Sequence, residues 1–346
     1  MFLLLSACSD GGYYLQAAKG QYEILKKRHP IEDLLASGEL GQKQQLELAR
    51  ILEIRNFASE HLALPDNGSY RSYVALETPY PIWNVVAAPE LSLKPKTWCF
   101  PIAGCVSYRG YFSEASAIEF ALDLQNKSYD TLVSGVPAYS TLSWFDDPVL
   151  SSFSSWPATA VARLIFHELA HQQLYLPDDS SFSEAFATSV ELAGIKHWLK
   201  IAGSEKEAEL LRKQLEREET FVEWTSAIHQ KLAELYSSSL SSAEKRQLKH
   251  EILTGAQSSY EKIKETWGGY SGYDKWVSSI NNARLVSIQT YRSLLPAFEA
   301  LLAENNNDFP AFYLACKELA AKPRDQRKQL LDKWQEIAVL TPPPGQ

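Results

Sequence analysis

Residues 161–175 read Val-Ala-Arg-Leu-Ile-Phe-His-Glu-Leu-Ala-His-Gln-Gln-Leu-Tyr, and the pair His167 and His171 constrains the fold more than any other feature of the chain. Residues four apart lie one above the other on a helix, so two imidazoles at that spacing can share one ion. The pair therefore demands a helix. Glu168 sits about 100° round that helix from His167, where its carboxylate can touch a water on the ion without taking a coordination position. Its expected role is general base. Val161, Leu164, Ile165 and Phe166 form an apolar run that would bury the helix and hold both imidazoles in a dry, rigid setting. The alternative is a buried amphipathic helix whose histidines only satisfy backbone carbonyls.

A catalytic zinc takes three protein ligands and leaves a fourth position to water, so the pair needs a third partner nearby. Residues 176–181, Leu-Pro-Asp-Asp-Ser-Ser, break the helix and offer Ser181 or Ser183 to cap another. A second helix folded back on the first can bring Glu184, or Glu191 two turns later, against the histidines. Asp178 and Asp179 remain as loop alternatives. A carboxylate on a helix is better fixed than one on a loop, which puts Glu184 first and Glu191 next.

His167-Glu168-Leu-Ala-His171 followed by Ser183-Glu184-Ala-Phe-Ala-Thr-Ser-Val-Glu191 resembles the gluzincin metallopeptidases. The likeness is greatest to the aminopeptidase N type, whose second helix carries N-E-x-F-A and another Glu seven residues on. The resemblance implies His167, His171 and Glu184 as ligands of Zn2+, and Glu168 as base. Twelve residues separate His171 from Glu184, fewer than in those aminopeptidases, so the connecting loop must be shorter. The stretches 98–111, Trp-Cys-Phe-Pro-Ile-Ala-Gly-Cys-Val-Ser-Tyr-Arg-Gly-Tyr, and 139–148, Tyr-Ser-Thr-Leu-Ser-Trp-Phe-Asp-Asp-Pro, extend the likeness through most of the chain. There it is similar to a family of bacterial predicted aminopeptidases that usually carry a lipoprotein signal.

Composition removes some classes of function. The formal charge of −8, with no basic cluster, argues against a nucleic-acid partner. After the N-terminus no run of eighteen apolar residues appears, so no later membrane span is expected. Residues 1–8, Met-Phe-Leu-Leu-Leu-Ser-Ala-Cys, read as the tail of a secretory signal, and Leu5-Ser6-Ala7-Cys8 resembles a bacterial lipobox with Cys8 lipidated. The apolar segment is short and lacks a basic flank, so the true translation start is expected upstream of Met1. Ser9 after the cysteine leans, by resemblance to lipoprotein sorting, towards the outer membrane. Expected localisation is the periplasmic face of the cell envelope, with membrane contact only through an anchor on Cys8. Cys99 and Cys105 can close a small loop in that oxidising compartment, or remain two buried thiols.

Helical spacing marks residues 13–29 and 40–61, and the prolines beyond Pro65 separate short aromatic or β-branched runs near 70–77, 83–88, 96–101, 105–108 and 131–136. These are expected to build one twisted, mainly antiparallel sheet. Residues 135–148, just before the metal helix, are a candidate edge strand for a substrate backbone, and Pro137 suits an edge. Asp146 or Asp147 is then a candidate for holding a free amino group, although Asp-Asp-Pro is also an ordinary turn and cap. Tyr139 is a candidate oxyanion donor, with a packed core tyrosine as the alternative. Arg109 is read either as a carboxylate binder or as a stacked structural arginine. Asn281 and Asn282 fall in a helix where their propensity is poor, which indicates packing or, by preference, a polar cleft lining.

The expected architecture is an α+β, zincin-like (gluzincin) fold with an antiparallel sheet, the H-E-x-x-H helix and a large helical C-terminal half. Its expected parts are a signal remnant (1–8), a helical segment (9–64), a catalytic core (65–200), a helical region (201–340) and a disordered tail (341–346). The expected activity is zinc-dependent hydrolysis of peptides, as an aminopeptidase by family resemblance, with Glu191 orienting a histidine if it is not itself a ligand. Two other classes compete: a lipid-anchored envelope protein whose zinc is structural or whose metallopeptidase fold is non-catalytic, and a cytoplasmic helical protein with a coincidental motif.

Overall fold

The computed structural model describes residues 6–100, 104–142, 144–177, 179–289 and 294–340, so the tail at 341–346 and residues 1–5 lie outside it. Its first elements are α1 (Ser6–Lys26), β1 (His29–Pro30), α2 (Ile31–Ser37), α3 (Gln42–Leu62) and β2 (Ser72–Val74). Then come β3 (Ile82–Pro89), β4 (Trp98–Phe100), β5 (Gly104–Val106), β6 (Tyr108–Tyr111), α4 (Glu114–Gln125), β7 (Tyr129–Val136) and β8 (Val149–Leu150). The remainder is helical: α5 (Ala158–Gln173), α6 (Ser180–Ala202), α7 (Glu205–Ser237), α8 (Ser242–Thr266), α9 (Asp274–Val277), α10 (Asn282–Gln289), α11 (Leu295–Glu304), α12 (Phe309–Ala320) and α13 (Arg324–Leu340). The chain is α+β and mostly helical. It divides into two compact units, one from residues 1–82, 135–207 and 291–346, the other from 83–134 and 208–290. Among the described residues no helix is long and apolar enough to cross a membrane.

The first unit is built around α6. Its apolar residues go all the way round the helix, and Phe182, Ala185, Phe186, Val190, Ile195 and Trp198 are all buried, which makes it a central helix rather than a surface one. One neighbour is α5, which buries Val161, Ile165, Phe166, Leu169 and Ala170. Gly194 permits the close approach: a Cβ there would stand 2.8 Å from Leu62 Cδ1 and 2.9 Å from Phe166 Cδ2. On another side Phe186 meets the rings of Phe298, Phe312 and Tyr313 from α11 and α12. Such a side chain, cut back to alanine, typically costs about 3–5 kcal/mol. The N-cap of α6 is Asp179, which accepts from Phe182 N at 3.2 Å and pairs with Arg327 at 2.8 Å. This corrects the expectation that Ser181 or Ser183 would cap; Ser183 instead turns inward and accepts from Leu176 N at 3.0 Å.

Among the described residues three small sheets replace the single one expected. β1-β2-β8 belongs to the first unit, with β1 and β2 antiparallel and β2 and β8 parallel. A second sheet has the order β6-β3-β7, with Trp83 opposite Tyr111 and Val86 opposite Tyr108; β4 and β5 form a separate hairpin closed by a Cys99–Cys105 disulfide. Pro79, Pro81, Pro89 and Pro95 fall between or at the ends of the strands, and each removes an amide that a continuous ladder would need. The same effect ends β7 at Val136, so residues 137–142 and 144–148 form turns and irregular chain instead of the edge strand expected there.

In the second unit Ile228, Leu232 and Leu235 of α7 pack with Ala256 of α8 and with Ile280 and Leu285. Asn282 is fully buried and belongs to packing, not to a cleft as preferred from sequence. Its amide nitrogen donates to the carbonyls of Pro89, Glu90 and Ser92, and its amide oxygen accepts from Tyr236 at 2.9 Å. Asn282 is the first residue of α10 and Asn281 precedes it, its Oδ1 accepting from Arg284 N at 3.0 Å, so neither asparagine lies in the helix interior expected. Arg109 stacks over Phe120 at 4.9 Å, the structural alternative of the two considered.

Candidate metal centre

His167 and His171 stand on the face of α5 that meets α6, and Glu184 comes from the second turn of α6. Their ligand atoms converge. His167 Nε2 lies 3.2 Å from His171 Nε2 and 3.3 Å from Glu184 Oε2, while His171 Nε2 lies 3.7 Å from Glu184 Oε2. A tetrahedral zinc with bonds of about 2.0–2.1 Å separates its ligands by about 3.3 Å, so the three atoms have the spacing of one ion's coordination shell. Among the described residues this is the group of His, Cys, Asp and Glu so arranged. Asp178 lies outside the described residues, and Asp179 is taken up by its cap and by Arg327.

Glu191 touches the other edge of His167. Its Oε2 is 3.1 Å from His167 Nδ1 and its Oε1 accepts from Arg163 Nε at 2.6 Å. A proton held on Nδ1 leaves the Nε2 lone pair facing Glu184 and His171. Burial opposes charge on His167, but Glu184 and Glu191 outweigh it and raise its pKa well above the usual value. Burial likewise pushes Glu184 up, yet the two imidazoles prevail and hold it well below the usual carboxylate range. Burial raises Glu168, which the histidines only partly offset; the other two carboxylates add to the rise. A carboxylate raised in this way is a better proton acceptor than one in water.

Two loops close over this end of α5. Gln172, next to His171, accepts from Asn67 Nδ2 at 2.8 Å and donates to Ser69 Oγ at 3.1 Å. Arg55, fully buried, donates to the carbonyls of Ser69 at 2.7 Å, Pro65 at 2.8 Å and Asn67 at 3.0 Å. Gly68 leaves room for Asp146, whose carboxylate oxygen would lie 2.5 Å from a Cβ. Tyr70 follows, fully buried and at φ +62, a left-handed conformation that costs a bulky residue about 1 kcal/mol or more. Its amide donates to the Asp147 carbonyl, and the Asp147 amide donates to Ser69 Oγ at 3.2 Å.

Asp147, 3 % exposed, accepts from Thr141 N at 2.9 Å and Thr141 Oγ1 at 2.7 Å, so its carboxylate folds its own loop. Arg28 donates to the Asp146 carbonyl at 2.9 Å, and the Tyr139 hydroxyl donates to Gln21 of α1, the packed alternative considered for it. Burial lifts Asp147 to about 6 against an ordinary 3.8; its hydrogen bonds offset part of the rise. Between those values the folded chain binds more protons than the unfolded one. This contribution is therefore complete below about 4 and is lost as pH rises through about 6, a cost of about 3 kcal/mol. Denaturant titrations across that range should show wild type losing stability relative to Asp147→Asn as pH rises; parallel curves would disprove the linkage.

A family model described as "Putative aminopeptidase" matches residues 12–331. The chain belongs to that family. No curated protein and no solved structure matches it. In this aminopeptidase-family chain the structure brings together His167, His171, Glu184, Glu168 and Glu191, and places Tyr139, Asp146 and Asp147 in the neighbouring loop. Cys8 lies in the first turn of α1, its side chain outside the described residues. Sequence reasoning missed Arg163, Gln172 and Tyr70. Arg163 had a legible signal, being four residues before His167 and so on the same face; Gln172 and Tyr70 had none, because their partners come from loops distant in sequence.

Proposed function

We propose that this chain is a zinc-dependent aminopeptidase in which His167, His171 and Glu184 hold the metal and Glu168 moves the proton. The observation that carries the reading is the 3.2–3.7 Å spacing of the three ligand atoms, with a raised carboxylate beside them. When bound, zinc supplies Lewis acidity, polarising a carbonyl and bringing a water's pKa near neutrality. Glu168 accepts the proton of the attacking water at its carboxylate and passes it to the leaving amine. Glu191 holds the Nδ1 proton of His167, and Arg163 keeps Glu191 charged. Exopeptidase specificity is inferred from the family. Periplasmic localisation with a lipid on Cys8 is proposed too, supported by the Cys99–Cys105 disulfide.

The test is hydrolysis of a panel of aminoacyl-arylamides and short peptides by protein lacking residues 1–8. Release of N-terminal residues, abolished by a chelator and restored by one equivalent of zinc, is the expected result. Tight zinc binding without hydrolysis would instead favour a structural metal in an envelope protein.

A further inference from the structure

The Tyr70 hydroxyl has no task in the mechanism above, and among the described residues it has no hydrogen-bond partner although it is buried. Unpaired buried donors are rare in native proteins and call for a reason. The chain spends much on this one. Its backbone stands at φ +62. The loop before it is gripped by the Arg55 guanidinium and fastened through both arms of the Gln172 amide to α5, one residue beyond the ligand His171. A loop preorganised to that degree, carrying a ring that is 1 % exposed, aims its terminal oxygen along a fixed line. Among charged groups the hydroxyl feels Glu168 most strongly and then Asp147, with Arg55 acting in the opposite sense. The loop is tied to Gln172, which lies one turn after Glu168 on the same face of α5, so it holds the phenol on the side of the helix that carries the base, and among the described residues the hydroxyl bonds to nothing.

We propose that the Tyr70 hydroxyl is a hydrogen-bond donor reserved for substrate, donating to an oxygen of the scissile carbonyl centre as it becomes tetrahedral beside Glu168. The inference rests on the peptidase reading. No bond is made or broken at Tyr70, which keeps its proton throughout; burial and the two carboxylates raise its pKa and so keep it a donor. Strain and an unmet hydrogen bond in the resting protein become an interaction realised only during the reaction.

Tyr70→Phe removes the oxygen and retains the ring. Zinc content and KM should stay as in wild type while kcat falls about 10²–10³-fold. The affinity of a peptide phosphinate, which mimics the tetrahedral centre, should weaken in the same variant. Tm of the zinc-free protein should be unchanged or higher, because an unpaired buried hydroxyl has gone. Hydrolysis within about threefold of wild type overturns the proposal and leaves the peptidase reading intact. A Tm lower by about 2 °C or more overturns it as well, since the hydroxyl would then be holding the fold together. Zinc-loaded wild type that cleaves no peptide overturns the reading, and the proposal with it.

Discussion

Glu168→Gln is expected to bind zinc as wild type does and to lose hydrolysis by about 10²–10⁴-fold, the range general-base catalysis contributes. The substitution keeps shape and hydrogen bonding but removes the one atom pair that can take a proton. Glu168 is no member of the converging trio, whose atoms come from His167, His171 and Glu184, so the metal should not notice the change. The fold should not weaken either: burial and the carboxylates of Glu184 and Glu191 already disfavour charge on Glu168, and a neutral amide relieves that cost. Zinc per chain, Tm and kcat/KM measured on one preparation check the three parts. Hydrolysis retained in this variant would remove Glu168 from the mechanism.

Glu184→Ala and Glu191→Ala should fail in different ways although both residues are on α6 and both touch His167. Removing Glu184 takes away a ligand, so zinc should be lost at equimolar loading, together with the zinc dependence of Tm. In wild type that dependence is expected to be about 2.7 kcal/mol at a hundredfold excess over Kd. Removing Glu191 should leave the stoichiometry at saturating zinc but weaken affinity about 10–100-fold, because His167 loses the partner that sets its ring. It also removes a charge-assisted hydrogen bond from the mostly buried Arg163, whose Nε lies 2.6 Å from Glu191, so the zinc-free form of this variant should be less stable than wild type. Zinc uptake in wild type should strengthen with pH, since the raised His167 must give up a proton first. Elemental analysis and calorimetry at two pH values distinguish these outcomes; equal zinc loss in both variants would make Glu191 a ligand.

Much of the site was legible because its chemistry is local. The i, i+4 histidines, the intervening carboxylate and the helix break are all readable within twenty-five residues, and so was the approach of Glu184, on a helix folded back on α5, to the histidine pair. Helix positions were legible for the same reason, since periodicity is a short-range signal. The sheets were not, because strand pairing depends on partners far away. Val149 lies beside Tyr73, and no pattern near either residue announces it. Asp147 shows a further limit: Asp-Asp-Pro was read both as a turn and as an amine binder, and only the positions of Thr141 and Ser69 show how firmly the turn claims its carboxylate and amide.

The chain passes between its two units four times, and this bears on when the protein can begin to work. Helices α5 and α6 are synthesised near the middle, but the rings that enclose Phe182 and Phe186 come from Phe298, Phe312 and Tyr313. Until those residues emerge, α6 lacks the apolar wall on one of its sides, although α3 and α5 already pack against it. Under the proposed function, assembly of the site therefore waits for α11 and α12 to be made.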